Sequence, residues 1–172
     1  MNRLKLLLLT TILLVPILLA PSVIVGQTDN SSSTNIKYED INPKNGYRYL
    51  LKRMKEKVVL LILSTNSQKK LDYYEKLLNI RLSELKYIVD NKDISNIQVA
   101  SQRYFTTAGQ MTEFLKSKNE LTLNKERVKG LFTEHIKIIE FLKTAYPNTT
   151  AEWRFLRDDA NYLIDYSSLL KK

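Results

Sequence analysis

From Tyr47 to Leu170 the apolar residues of this chain recur at steps of three and four, window after window. That period sets them on one face of an α-helix, whereas a half-buried strand needs alternation by two. In the first window, over 47–64, the stripe is Tyr47, Leu50, Leu51, Met54, Val58, Leu61 and Ile62, with Val59, Leu60 and Leu63 beside it. The second half is then apolar almost all round, which predicts burial between neighbours. Val58–Leu63 alone would also suit a strand, but the helical phase running on from Tyr47 argues against one. A second window, 67–91, carries Leu71, Tyr74, Leu78, Leu82, Leu85 and Val89, with Asp72 and Lys76 spaced as a helix ion pair.

The third window opens on Ser95 and Gln98, spaced as a capping box, with Ile94 and Val99 as its hydrophobic staple. It continues with Ile97, Ala100, Tyr104, Ala108, Met111 and Leu115, and Gly109 sits inside it. A fourth, 124–146, presents Val128, Leu131, Phe132, His135, Ile139 and Leu142 and ends before Pro147. Thr149 and Glu152 suggest a second capping box for the last, which lines up Trp153, Leu156, Ala160, Leu163 and Leu170. Short connections predict that successive helices pack antiparallel. The expected fold is all-α: an antiparallel bundle of four or five helices over 46–172. No internal repeat stands out.

Ahead of the bundle lie two segments of different character. Asn2, Arg3 and Lys5 make a short basic start, and no charged residue follows from Leu6 to Val25. A basic region before an apolar one is the pattern of a secretory signal peptide or an N-terminal membrane anchor. Pro16, Pro21 and the small residues near Ala20 and Gly26 suit cleavage; twenty uncharged residues also suffice to span a bilayer. Either way 1–26 addresses the rest of the chain outside the cytoplasm, secreted or held at the cell envelope. Residues 27–45, rich in Ser, Asn and Asp and containing Pro43, read as a flexible polar linker. Asn30-Ser31-Ser32 and Asn148-Thr149-Thr150 fit the glycosylation sequon.

The chain has no cysteine, so disulfides, thiolate metal sites, cysteine nucleophiles and lipid attachment at a cysteine are excluded. All 18 acidic and 25 of the 27 basic residues follow Gly26, leaving a net charge of +7 there. Such a balance suits an anionic envelope polymer, lipid or envelope protein as partner, and equally a well-solvated surface. No block of Lys and Arg interleaves with aromatics, so nucleic acid is not expected.

One stretch is more specific. Tyr49-Leu50-Leu51-Lys52-Arg53-Met54-Lys55-Glu56-Lys57 precedes an apolar run, then Lys69-Lys70-Leu71 and Arg81-Leu82-Ser83-Glu84. Over roughly 46–118 this resembles a helical domain of unknown function found behind signal peptides in exported proteins of archaea and candidate-phylum bacteria. The resemblance implies fold and address, and no catalytic residue. Read physically, Glu56 and Arg81 suit an ion pair that fixes the register of the first two helices; a basic patch for an anionic ligand is the other reading.

Catalytic chemistry finds little footing. His135 is the sole histidine and lies on an apolar stripe, where a core histidine is expected rather than a general base. Four glycines supply no phosphate-cradling loop. Asp90 to Ser101 lacks the central glycine and terminal glutamate of a calcium loop. Asp158 and Asp159 are adjacent on a helix and diverge. Among ten tyrosines, Tyr47, Tyr74 and Tyr104 fall on core stripes, and Tyr73, Tyr87 and Tyr166 are candidates for partner-facing or helix-edge rings. No catalytic, cofactor-binding or metal-ligating residue is assigned, and no cofactor is expected. The sequence points to an exported, non-enzymatic binding or structural module of the envelope. A periplasmic chaperone-like protein, with an apolar groove near Val59, Leu60 and Leu63, is the alternative. A hydrolase built from serine or carboxylates gathered by the fold is a third reading.

Overall fold

A computed structural model of the chain describes residues 46–171. The apolar segment 1–26 and the linker 27–45 lie outside the described residues. Every regular element among these is helical: α1 (Gly46–Ile62), a 3-10 turn (Leu63–Thr65), α2 (Ser67–Asp90), α3 (Ile94–Lys116), a second 3-10 turn (Asn119–Leu121), α4 (Asn124–Lys143) and α5 (Ala151–Leu169).

The four later helices close a square whose sides are α2/α3, α3/α5, α5/α4 and α4/α2. Tyr74 meets Phe114 and Ser67 meets Glu120, so α2 and α3 run antiparallel. Ser101 meets Asp159, Phe105 meets Tyr162 and Gly109 meets Tyr166, so α3 and α5 run parallel. Asp72 and Asn79 meet Arg127 and His135 in the same parallel sense across α2 and α4. Successive helices thus do run antiparallel, but the expectation that each packs beside the next fails at one place. The link from Ser117 to Leu123 carries the chain across the diagonal, so α3 and α4 face each other through the core rather than side by side. Tyr104 and His135 make that contact.

The stripes read for α2 to α5 are the core. Leu71, Leu78, Leu85, Ile97, Tyr104, Met111, Val128, Phe132, Ile139, Leu156 and Leu163 are closed to solvent or nearly so. Burying a side chain of this size contributes about 1.5–3 kcal/mol. The helix ends differ from the sequence reading. Asp93, not Ser95, is the cap of α3: its carboxylate accepts from Ser95 Oγ and Asn96 Nδ2, while Ile94 and Val99 stay exposed instead of forming a staple. Thr150, one residue after the expected Thr149, caps α5 by accepting from the Trp153 amide. Asp72 pairs with Arg127 and Gln68 rather than with Lys76. Between α2 and α3, Lys92 takes a left-handed φ of 51°, and the Lys92 and Asp93 amides donate to Val89 and Ile88. This is the Schellman closure of a helix.

Gly109 marks a tight approach. A Cβ there would lie 2.8 Å from the Tyr166 hydroxyl and 3.1 Å from Cζ. Gly109→Ala gains about 1 kcal/mol of helix propensity but meets an overpacking cost of about 1–3 kcal/mol. The expected result, read by urea denaturation, is that Gly109→Ala is more favourable by about 1 kcal/mol or more once Tyr166→Ala clears the space than in the native background.

The first helix departs most from its sequence reading. Tyr47, Leu50, Leu51, Met54, Val58, Leu61 and Ile62, read as a core stripe, face outward with 45–73 % of their surface exposed. The bundle-facing side is Tyr49, Arg53, Glu56 and Leu60, at steps of four, three and four. The reason lies in what α1 packs against. The upper surface of α2 and α3 presents Arg81, Glu84 and Arg103, and only the polar face of α1 can satisfy them.

Candidate functional site

Arg81 anchors the α1/α2 contact from the middle of α2. It is 2 % exposed, and Glu56 and Glu84 beside it are 7 % and 1 % exposed. Its Nη1 donates to Glu84 Oε1 at 2.7 Å, and its Nη2 donates to Glu56 Oε2. The expected Glu56–Arg81 pair is thus present, but buried. Tyr49 of α1 donates its hydroxyl proton to Glu84 Oε1 at 3.1 Å and accepts from Arg103 of α3. Lys52 stands 3.9 Å from Glu84, and Arg53 stands 3.7 Å from Glu56.

The electrostatics follow from crowding cations around two carboxylates. Burial alone would lower the Arg81 pKa, but Glu84 and Glu56 outweigh it and hold the guanidinium charged. Burial raises the Glu84 pKa, with Arg81 and Lys52 opposing; the 2.7 Å contact to a charged guanidinium keeps the pair ionic near neutrality. Tyr49 is pushed up to about 12, first by burial and then by Glu84. Arg53 is lowered, first by burial and then by the like charge of Arg81. It lies where positive charge is in excess.

Beside this network a cleft of about 620 Å³ opens between α1, α2 and α3. Arg53, Glu56 and Lys57 form its α1 wall, Arg81 lies at its α2 side, and Arg103 and Gln102 come from α3. Lys57 makes no ion pair among the described residues, and Arg81 Nε, Glu56 Oε1 and Glu84 Oε2 find no hydrogen-bond partner there. The arrangement can hold an anion by charge and by directed N–H donors. Comparison with protein-family models, curated proteins and solved structures finds no match. The cleft is therefore read from its own chemistry.

A second polar group lies inside the four-helix square. Tyr104 Oη is 3.0 Å from His135 Nδ1, and His135 Nε2 is 3.1 Å from Asn79 Oδ1. Asn79 Nδ2 donates to the Glu75 carbonyl, so Oδ1 is its free acceptor. His135 Nε2 must then donate and Nδ1 must accept the tyrosine proton, which fixes a neutral tautomer. Burial agrees, lowering the His135 pKa to about 4. The histidine sits in the core, as its stripe position indicates. Ser101 Oγ donates to Asp159 Oδ1 at 3.0 Å, not to His135. Asp159 is buried while Asp158 pairs with Arg157 at the surface, so the two diverge as expected. Among the described residues no group of three or more His, Asp or Glu side chains is arranged to hold a metal ion.

Several expectations shift in place. Tyr47 is exposed, not core; Tyr73, Tyr87 and Tyr166 are half-buried, the last two packed on the core. Val59, Leu60 and Leu63 are half-buried, so they are not the exposed apolar surface. Tyr49 falls outside the apolar stripe read for the first window, and Arg103 carries no apolar signal, so both escape a periodicity reading. The trace Arg103 leaves is a polar residue beside a core position, Tyr104.

Proposed function

We propose that the chain is an exported, non-enzymatic binding module of the cell envelope, whose cleft between α1, α2 and α3 takes an anionic group of an envelope polymer. The observation that carries this reading is the excess of cations lining the cleft: Arg53, Lys57, Arg81 and Arg103 against Glu56 and Glu113. The signal-like start of 1–26 and the net charge of +7 beyond it support an exported location.

Calorimetric titration with an oligomer of glycerol phosphate tests it. Binding is expected for the native chain and is expected to weaken about tenfold or more for Lys57→Gln/Arg103→Gln, since charge-assisted contacts are worth about 1.5–3 kcal/mol each. The control Lys69→Gln/Lys76→Gln removes equal charge elsewhere and is expected to bind as the native chain does. Equal weakening by both pairs would mean diffuse attraction rather than a site.

A further inference from the structure

The outward face of α1 has no partner among the described residues, and its flanks are charged in a definite way. At about 100° per residue, Leu50, Leu51, Met54, Val58, Leu61 and Ile62 occupy an arc within about 60° of its centre line. Arg48 and Lys55 border that arc on one side and Lys57 on the other. The single acid of the helix, Glu56, points the opposite way, into the bundle against Arg81. An apolar stripe edged by basic residues, with no acid at its border, matches a helix lying in a lipid–water interface. The apolar side chains enter the acyl boundary, and Arg and Lys reach back to the headgroups.

We infer that α1 docks flat on an anionic lipid surface through this face. Its charge pattern selects that occupant over a second copy, because two copies paired face to face would bring Arg48, Lys55 and Lys57 against one another, whereas anionic headgroups neutralise them. The helix lies on the surface and does not cross it: no described helix is long and apolar enough to span a bilayer. The docking face and the cleft lie on different sides of α1 and share Lys57 at their common edge.

The absence of cysteine permits a clean test in the full chain. Met54→Cys carries an environment-sensitive fluorophore on the stripe; Ile164→Cys carries the same probe on the exposed side of α5. With phosphatidylglycerol vesicles the label at 54 is expected to shift to the blue and the label at 164 to stay unchanged. Phosphatidylcholine vesicles are expected to give no shift at 54. Adding Arg48→Glu/Lys55→Glu, two exposed positions, is expected to abolish the response while the helical circular-dichroism signal is retained. The inference is overturned by no shift at 54 with phosphatidylglycerol, by an equal shift with phosphatidylcholine, or by a lipid-free shift that grows with protein concentration, which would assign the face to a second copy. Because 1–26 is apolar, vesicle binding by itself is not the readout; the response at 54 is.

Discussion

Arg81→Ala is expected to cost roughly 3–5 kcal/mol of folding stability, the range for removing one partner from a buried ion pair. Without Arg81, Glu56 and Glu84 remain buried with no guanidinium between them, and one must take up a proton or drag water inward. Glu56→Ala leaves Arg81 still paired with Glu84 and is expected to cost less. Combining the two should cost less than the sum, because Arg81→Ala does most harm where Glu56 is present to be stranded. Urea denaturation of the four proteins reads the coupling; 1 kcal/mol or more is expected, within the range of contacting residues. Hydrogen exchange adds a location. Since α1 meets the bundle chiefly through this network, its amides should lose protection first while those of α2 to α5 keep theirs. Additive effects, or uniform loss of protection, would mean that α1 is held by something else.

The second large effect is a pH dependence from two buried groups of opposite sign. Asp159 has its pKa raised well above the usual carboxylate value, chiefly by burial, with Ser101 opposing and Asp158 adding to it. The folded state thus keeps a proton that the unfolded chain releases near pH 4. Its contribution to stability is whole below that pH and is lost as pH rises towards the folded pKa, by at most about 1.4 kcal/mol per pH unit. His135 does the reverse. With its pKa lowered to about 4 by burial, its contribution is whole above pH 6.5 and is lost as pH falls towards 4, by up to roughly 3 kcal/mol in all. Between pH 4 and 6.5 the two oppose, so single variants reveal what the native profile conceals. Asp159→Asn, which keeps an acceptor for Ser101, is expected to gain on the native protein steadily as pH rises above 4. His135→Gln is expected to compare best with it at the acid end. Stability curves parallel to the native one across this range would show that neither group titrates differently on folding.

Four of the five helices were legible because their amphipathic period and their burial coincide. Leu71, Leu78 and Leu85 on α2, or Ile97, Tyr104 and Met111 on α3, are both the periodic residues and the buried ones. In α1 the two part company. Its most regular apolar stripe faces out, and its buried face is Tyr49 and Glu56, chosen by the charges of α2 and α3 rather than by hydrophobicity. The Glu56–Arg81 pair is one of the two readings the sequence offers for its charged motif, beside a basic patch for an anionic ligand. Their burial could not be read there, since it depends on Tyr49, Lys52 and Arg103 closing round them. The diagonal from α3 to α4 was likewise hidden: a short link predicts adjacency, and only the Tyr104–His135 contact reveals that these helices meet across the core. The capping errors are one- and two-residue displacements, caused by Asp93 and Thr150 competing with the neighbouring hydroxyl residues for the same helix ends.

The orientation of α1 underlies both the cleft and the lipid-facing surface, and thiol accessibility measures it directly. In dilute solution without lipid, Leu61→Cys and Leu85→Cys can each be reacted with a maleimide, one position lying on the outward stripe and the other fully buried on α2. Leu61→Cys should react at the rate of an unfolded control, and Leu85→Cys should be protected by the stability of the bundle. Protection at 61 equal to that at 85, in a protein shown to be monomeric, would place the apolar stripe against the core and remove the basis for the cleft and the docking face together.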